Sequence, residues 1–349
     1  MTNPGQTLRA AAASRILVKD GPYGTAIQDL GLTTADYAGD IGNNHDQKGN
    51  NDLLNLTRPG AISGVCNSYI AAGADLLATN TFNANRISQA DYGMEARVRE
   101  INLAAAKVIR DCVDAATAAD GKQRWVAGSL GPTNKTLSLS PRVSDPGYRE
   151  VTFDEVKDVY REQIDALLDG GVDFILIETV FDTLNAKAAA FAVAEAGDAR
   201  GTLVPVMLSM TLTDLSGRNL SGQTVEAFWH SIRHVKPVAV GLNCSFGATE
   251  LRPHVQALAK VADTLIMTYP NAGLPNDLGA YDEQPETTAG FIRGWADEGL
   301  VNIVGGCCGN TPDHIAAMAR QVAGLPPRII PTDTPELRLS GIEAHRFAA

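Results

Sequence analysis

Three cysteines stand where their thiols could share one metal ion. Cys244 follows the apolar segment VAVGLN, and the adjacent pair Cys307 and Cys308 follows VNIVGG much later in the chain. Three thiolates with one open position are typical of a catalytic zinc site. The spacing is not a short CxxC motif, and a buried cysteine often serves only as a small apolar side chain. A zinc site and a set of inert thiols therefore both stay open, and a strained disulfide between the adjacent pair is disfavoured in a reducing compartment.

The glycines around the adjacent pair bear on whether both thiols can reach one ion. Neighbouring residues on a regular strand point to opposite faces of the sheet. Gly305 and Gly306 precede the pair and Gly309 follows it. Because glycine permits backbone conformations that other residues avoid, we expect the chain to leave the strand here and turn both thiols toward the same point.

The segments that must position these thiols alternate between short apolar runs and stretches with helical periodicity. Continuous apolar runs are typical of strands buried in a parallel sheet. The runs span 15–21, 74–82, 124–133, 173–180, 204–212, 238–246, 264–273 and 301–309. Eight strand–helix units predict an α/β fold, a (β/α)₈ TIM barrel with a single domain over residues 1–330 and an extended tail over 331–349. A doubly wound open sheet is the alternative, but it often carries a glycine-rich phosphate fingerprint that this sequence lacks.

Polar residues follow several of the predicted strands. Asp20 and Gly21 follow the first strand, Asn80 the second, Glu178 lies at the end of the fourth, and Asn271 follows the seventh. The carboxyl ends of barrel strands meet at one face, so we interpret these residues as candidates for a shared substrate site. For Glu178, capping of the next helix is an equally good interpretation. Two carboxylates beside three thiolates favour cationic ligands, namely a metal and a substrate ammonium group.

Other segments narrow the choice of chemistry. Two long polar connections, 22–59 and 132–151, follow predicted strands on the face where barrel enzymes build their sites. None of the six histidines ends a predicted strand, which disfavours a histidine-based nucleophile triad. Cys66 and Cys112 lie in helical patterns and are predicted to be core residues.

Composition excludes several classes of partner. The 349 residues carry a net charge of −11, and the sequence pI is near 5.0. An acidic chain of this kind is not expected to bind nucleic acid or an anionic membrane surface. No apolar run approaches the roughly 20 residues of a membrane span, and the first residues do not form a secretory signal. With five cysteines in a chain of this size, we expect a cytoplasmic, reduced protein.

Several motifs resemble those of a known family. GLNC followed by GGCCG is similar to the homocysteine S-methyltransferase family, whose members are zinc enzymes on a (β/α)₈ barrel. KGNNDLLNLTRP, GADLLATNTFNAN, VAGSLGPTN, LIETVFDTLNAKAA, LSGQTVEAF and PNAGLPN resemble, more specifically, the N-terminal homocysteine-binding module of cobalamin-dependent methionine synthases. This resemblance extends over roughly residues 10 to 342.

The resemblance implies a role for each candidate residue. Cys244, Cys307 and Cys308 would bind Zn²⁺, and the homocysteine thiol would take the fourth position. Asn271 would close the metal site when substrate is absent. Asp20 and Glu178 would hold the substrate amino group.

One departure concerns the substrate carboxylate, which the backbone after Asp20 would receive. The family usually has DGGMGT or DGAMGT where this chain has DGPYGT. Pro22 donates no N–H, so Gly21 or a residue of the next loop would have to hold the carboxylate.

The implied reaction is methyl transfer from methylcobalamin, itself charged by methyltetrahydrofolate, to homocysteine, giving methionine. The sequence contains no D-x-H-x-x-G cobalamin motif. We therefore expect the cobalamin and folate modules on a separate polypeptide that acts as a partner. One alternative is a corrinoid-independent homocysteine methyltransferase that uses betaine or S-methylmethionine. A different class of alternative is a non-catalytic barrel with a structural metal.

Overall fold

The computed structural model describes residues 3–41, 44–332 and 336–347. Within these ranges, eight parallel strands form the central sheet: β1 Leu17–Val18, β2 Leu76–Ala78, β3 Trp125–Leu130, β4 Phe174–Val180, β5 Val206–Met210, β6 Ala239–Asn243, β7 Leu265–Tyr269 and β8 Ile303–Val304. Two further strands, β9 Arg338–Ser340 and β10 Ala344–Arg346, form a separate antiparallel hairpin.

The eight strands close into a barrel. Their order is β1-β8-β7-β6-β5-β4-β3-β2, and every neighbouring pair is parallel. A parallel bridge between Lys19 and Leu76 joins β1 to β2, and the N–H of Asp20 donates to the Leu76 carbonyl at 2.9 Å. The predicted (β/α)₈ barrel is therefore confirmed.

Helices surround the barrel. Across the described ranges they are α1 Pro4–Ser14, α2 Tyr23–Asp29, α3 Thr34–Ala38, α4 Leu54–Thr57, α5 Pro59–Ala71, α6 Arg86–Gln89, α7 Val98–Asp120, α8 Phe153–Asp169, α9 Thr183–Arg200, α10 Val225–Ile232, α11 Ala248–Val261, α12 Pro285–Asp297 and α13 Pro312–Val322. Local sequence sets several helix starts. Thr152 begins α8 with a capping box to Glu155, and Thr311 begins α13 with Pro312 at its first position.

The first helix closes the amino-terminal end of the barrel. Leu8 and Ala12 of α1 are fully buried in the same apolar cluster as the inward-facing strand residues. Trp125 donates from its indole Nε1 to the Thr7 hydroxyl at 3.0 Å, and Arg9 donates to the Pro237 carbonyl at 3.0 Å. A second apolar cluster lies between the strands and the outer helices.

Some strands are shorter than their apolar runs. The run 301–309 contains only Ile303–Val304 as strand, because the chain turns away at Gly305 to build the site. The long polar connection 22–59 contains α2, α3 and α4. The connection 132–151 has neither helix nor strand, as predicted.

The described part of the C-terminal segment is the β9–β10 hairpin. The Ser340 hydroxyl donates to the Ala227 carbonyl of α10 at 2.6 Å, and Arg218 pairs with Glu343. The hairpin therefore rests on the outside of the barrel, and the domain division at residue 330 stays a prediction. None of the described helices combines the length and apolar character required to span a bilayer.

Candidate metal and substrate site

The three predicted cysteines converge at the carboxyl end of the barrel. The Sγ atoms of Cys244, Cys307 and Cys308 all lie within 4.8 Å of one another. Cys244 Sγ lies 3.9 Å from Cys308 Sγ. Sulfur atoms about 2.3 Å from a tetrahedral zinc ion would be ~3.8 Å apart. The thiol cluster therefore fits a single zinc ion.

Unusual backbone conformations place Cys244 in this cluster. Cys244 has φ 63° and Ser245 has φ 65°, which is the left-handed region that residues with a Cβ atom rarely adopt. Two hydrogen bonds hold the turn, from Cys244 N to the Tyr269 carbonyl at 3.3 Å and from Phe246 N to the Cys244 carbonyl at 2.8 Å. Such conformations cost about 1 kcal/mol or more each and cluster at functional sites.

Close packing explains most of the glycines beside the adjacent pair. A Cβ atom on Gly306 would lie 2.5 Å from the Asn310 side chain. At Gly309, which has φ 79°, a Cβ atom would lie 2.3 Å from Tyr281 Cβ. The expectation that all three glycines supply unusual backbone angles is thus correct only for Gly309, while Gly305 and Gly306 allow neighbouring groups to approach.

The thiols also perturb one another. Hydrogen bonds with Cys244 and then Cys307 lower the pKa of the Cys308 thiol to about 3. Hydrogen bonds with Cys244 and then Cys308, together with burial, raise the pKa of the Cys307 thiol. The cluster therefore stabilises negative charge on the Cys308 sulfur, which is the form of cysteine that binds a metal.

The chain segment that contains Asn271 lies beside the cluster. The side-chain oxygen of Asn271 is buried and has no hydrogen-bond partner among the described atoms. The chain around it is tied to the cysteines, because Cys307 N donates to the Pro270 carbonyl at 2.8 Å and Ala272 N donates to the Cys308 carbonyl at 2.9 Å. A buried amide oxygen without a partner is chemically able to bind a metal, and the role of Asn271 as a fourth ligand stays a prediction.

A cavity of about 280 Å³ opens beside the thiols. The described residues of its wall include six predicted site residues: Gly21, Asn80, Glu178, Cys244, Cys307 and Cys308. Asp20 and Asn271 are not among the wall residues that the structure describes. A larger groove of about 800 Å³ lies along α9 on the outside of the barrel, but none of the predicted site residues line it. The thiols therefore favour the smaller cavity as the reaction site.

Glu178 faces the cavity because β4 is irregular at its end. The pairing of β4 with β5 shifts register between Ile177 and Val180, and Thr179 has φ 58°. Asn243 holds this bulge: its Oδ1 accepts from Thr179 N at 3.1 Å and its Nδ2 donates to the Thr179 hydroxyl at 2.9 Å. Bulges of this kind re-aim side chains beside active sites.

Hydrogen bonds from two strands orient the Glu178 carboxylate. Tyr269 donates to Oε2 at 2.9 Å, and Ser129 donates to Oε1. Asp182 caps α9 by accepting from Leu184 N at 2.9 Å. Glu178 is therefore not the helix cap, and the capping interpretation is wrong.

Asp20 lies beneath the cavity wall. It is fully buried, its Oδ1 accepts from Lys19 Nζ at 2.7 Å, and its Oδ2 accepts from Ala78 N at 2.8 Å. Both carboxylate oxygens thus already have donors. A direct contact between Asp20 and a substrate amino group stays a prediction, and the structure places Lys19 between Asp20 and the cavity as its partner.

Gly21 and Asn80 help to shape the same wall. A Cβ atom on Gly21 would lie 2.6 Å from the ring of Tyr69, so no larger residue fits there. Asn80 Nδ2 donates to the Asn51 carbonyl at 2.7 Å, and the Asn80 carbonyl accepts from Asn55 at 2.7 Å. Asn80 therefore joins β2 to the first long connection.

Sequence-family comparison decides the class of protein. The family model for homocysteine S-methyltransferase matches residues 17–322. The chain belongs to the homocysteine S-methyltransferase family.

Solved structures share this fold. The oxidised form of the homocysteine methyltransferase MmuM from Escherichia coli is 22% identical, with a TM-score of 0.72, and the match covers 92% of this chain and 100% of that one. The metallated form of MmuM is 23% identical with a TM-score of 0.71, covering 91% of this chain and 100% of that one. At these sequence identities, the comparison with MmuM shows that the two proteins share a fold.

Sequence reasoning missed two charged residues of this cavity, Lys19 and Asp52. Lys19 is 4% exposed and lines the cavity. Its position inside the apolar run RILVKDG was a usable signal, because lysine is almost never fully buried without a partner. The hydrogen bonds by which Ser129 and Tyr269 orient Glu178 were not predicted either, since a bond between two strands cannot be recognised from one strand alone.

Proposed function

We propose that this chain is a zinc-dependent methyltransferase that moves a methyl group from methylcobalamin to the thiol of homocysteine and so forms methionine. The observation that carries this proposal is the cluster of three thiols within 4.8 Å, bordering a cavity at the carboxyl end of the barrel. Family membership supports homocysteine as the substrate.

Cys244, Cys307 and Cys308 would hold the zinc ion, with Asn271 as a further ligand when substrate is absent. Zinc, when bound, would supply the positive charge that favours the thiolate form of the substrate sulfur. A cysteine-type thiol has an ordinary pKa near 8.5, so most of it is protonated at neutral pH without such help.

The residues of the chain itself would bind and orient the amino acid. Glu178 presents a carboxylate that Tyr269 and Ser129 hold in place, and this carboxylate would accept the substrate ammonium group. The cavity of about 280 Å³ would enclose a small amino acid. During transfer a bond forms between sulfur and the methyl carbon, and the carbon–donor bond breaks with its electron pair left on the donor.

The methyl donor would be bound by residues outside this sequence. The 349 residues contain no D-x-H-x-x-G motif. We infer that methylcobalamin, charged by methyltetrahydrofolate, is presented by a cobalamin- and folate-binding polypeptide in the cytoplasm.

A donor assay tests the proposal. Zinc-loaded protein is mixed with homocysteine and methylcobalamin, and methionine is measured against a Cys308→Ala control. We expect methionine only with the intact thiol cluster. Methionine formed from betaine or S-methylmethionine without any corrinoid would overturn the proposed donor, and no methionine from any of the three donors would overturn methyl transfer to homocysteine.

A further inference from the structure

A buried lysine lies in the floor of the cavity. Lys19 is 4% exposed, and its Nζ donates to Asp20 Oδ1 at 2.7 Å and lies 4.6 Å from the centre of the Tyr269 ring. Burial alone lowers the pKa of a lysine, but here the charges of Asp20 and then Glu178 outweigh it, and the pKa of Lys19 is raised. The side chain is therefore an ammonium ion at neutral pH.

Lys19 is the one cationic side chain among the described residues that line the cavity. The carboxylates and thiols that share the wall are those of Asp52, Glu178 and the three cysteines. A carboxylate brought into such a site needs a positive or hydrogen-bonding partner, because an unpaired buried charge is strongly disfavoured. Lys19 is the charged partner that the wall offers.

The ammonium group has donors to spare. A lysine ammonium carries three N–H donors, and the single acceptor described for Lys19 is Asp20 Oδ1. Each carboxylate oxygen of Asp20 in turn already has a donor, because its Oδ2 accepts from Ala78 N. Pro22, which has no N–H, follows on the same wall.

We propose that Lys19 binds the α-carboxylate of the amino acid substrate. The inference rests on the proposed function, because it assumes that a thiol-bearing amino acid enters this cavity. Glu178 then binds the ammonium group and the cysteine cluster faces the sulfur, so the substrate is held at three points. Lys19 makes the site selective for thiols that carry a carboxylate.

Three thiols separate the contributions of the two charged residues. Homocysteine has an ammonium and a carboxylate, 3-amino-1-propanethiol lacks the carboxylate, and 4-mercaptobutyrate lacks the ammonium. Binding of each to zinc-loaded protein is measured by calorimetry, and kcat/KM is measured with methylcobalamin.

Lys19→Met is expected to weaken the binding of homocysteine and 4-mercaptobutyrate by roughly 100-fold, which corresponds to the loss of a charge-assisted hydrogen bond in a buried site. The binding of 3-amino-1-propanethiol should not change. Glu178→Gln should weaken the binding of homocysteine and 3-amino-1-propanethiol, which both carry an ammonium group. It should leave the binding of 4-mercaptobutyrate unchanged. The exposed Lys260→Met serves as the matched control and should bind all three thiols as the unsubstituted protein does.

A second variant separates carboxylate binding from simple neutralisation of Asp20. Lys19→Met leaves the buried Asp20 without its partner, whereas Lys19→Met with Asp20→Asn removes both charges. If Lys19 binds the substrate carboxylate, the double variant keeps the loss for homocysteine and 4-mercaptobutyrate. Recovery of homocysteine binding in the double variant, or an equal loss for all three thiols in both variants, would overturn the proposal. Failure of the unsubstituted protein to methylate homocysteine would instead contradict the proposed function.

Discussion

The two ends of the barrel are built on opposite principles. The amino-terminal end is sealed by α1, whose Leu8 and Ala12 are fully buried against the inward-facing strand residues. The carboxyl-terminal end is open, and its cavity is lined by cysteines, carboxylates and amides.

Backbone strain is concentrated at the carboxyl-terminal end. The described non-glycine residues with positive φ are Thr179, Cys244, Ser245 and Lys236. The first three lie at the carboxyl end, at the bulge beside Glu178 and at the turn that places Cys244 in the thiol cluster. Lys236 lies just before β6, at the amino end. In this molecule, then, one end supplies stability and the other end uses part of it to hold reactive groups in place.

The largest effect should come from removing a site thiol. Cys308→Ala is expected to abolish stoichiometric zinc binding and to lower methionine formation by roughly 10³-fold or more, because two thiolates hold the ion poorly. Cys66→Ala, a buried cysteine of the core, should lose about 1 kcal/mol of stability and keep its zinc. Metal analysis measures the zinc content of both variants, and the methylcobalamin assay measures their methionine formation. Full zinc content in Cys308→Ala would contradict the three-thiol site.

Truncating a buried side chain of α1, at the amino-terminal end of the barrel, should instead lower stability and leave activity unchanged. Leu8→Ala is expected to lower the free energy of unfolding by about 2–4 kcal/mol, because it leaves a cavity among buried apolar groups. The KM for homocysteine should not change. Urea unfolding compares this variant with Leu203→Ala, whose leucine is 79% exposed. An altered KM in Leu8→Ala would show that the two ends are coupled.

Substitution of Asp52 tests whether a buried carboxyl group at the open end lowers the free energy of unfolding when it ionises. Burial raises the pKa of Asp52 to about 7, partly opposed by a hydrogen bond from Asn83 N at 3.0 Å. In the unfolded chain the pKa is about 3.9. Between these values the folded state holds more protons, so the free energy of unfolding falls as pH rises, by on the order of 2 to 4 kcal/mol in total.

Asp52→Asn should remove that part of the pH dependence and should be relatively more stable above pH 7. Unfolding measured at intervals from pH 4 to 8 tests this, with the exposed Asp277→Asn as the control. Equal pH dependence in Asp52→Asn and the unsubstituted protein would contradict a buried, neutral Asp52.

The smallest effect should come from relieving strain where no site needs it. Lys236 has φ 53° and is exposed. Lys236→Gly is expected to raise the free energy of unfolding by about 0.5–1 kcal/mol, because glycine adopts this conformation without a steric penalty. Thermal unfolding measures the gain, and methyl transfer should be unaffected. A loss of activity would mean that strain at the amino end also serves the site.

The sequence predicted the architecture well because buried parallel strands leave a pattern that does not depend on their partners. Continuous apolar runs separated by helical segments identified all eight strands. The exact strand ends were less well predicted. The last apolar run continues through Gly305 and Gly306, although the strand itself ends at Val304, because the residues that turn there are also apolar or small.

The chain by itself determined the fold and the convergence of three thiols, since residue type and strand order place Cys244, Cys307 and Cys308 at one end of a barrel. Tertiary structure alone decided what the carboxylates do. Asp20 turns to Lys19, whereas a bulge held by Asn243 aims Glu178 at the cavity. The physical reason is that hydrogen bonds between different strands set these orientations, and the sequence of one strand does not specify which residues of the neighbouring strands it will contact.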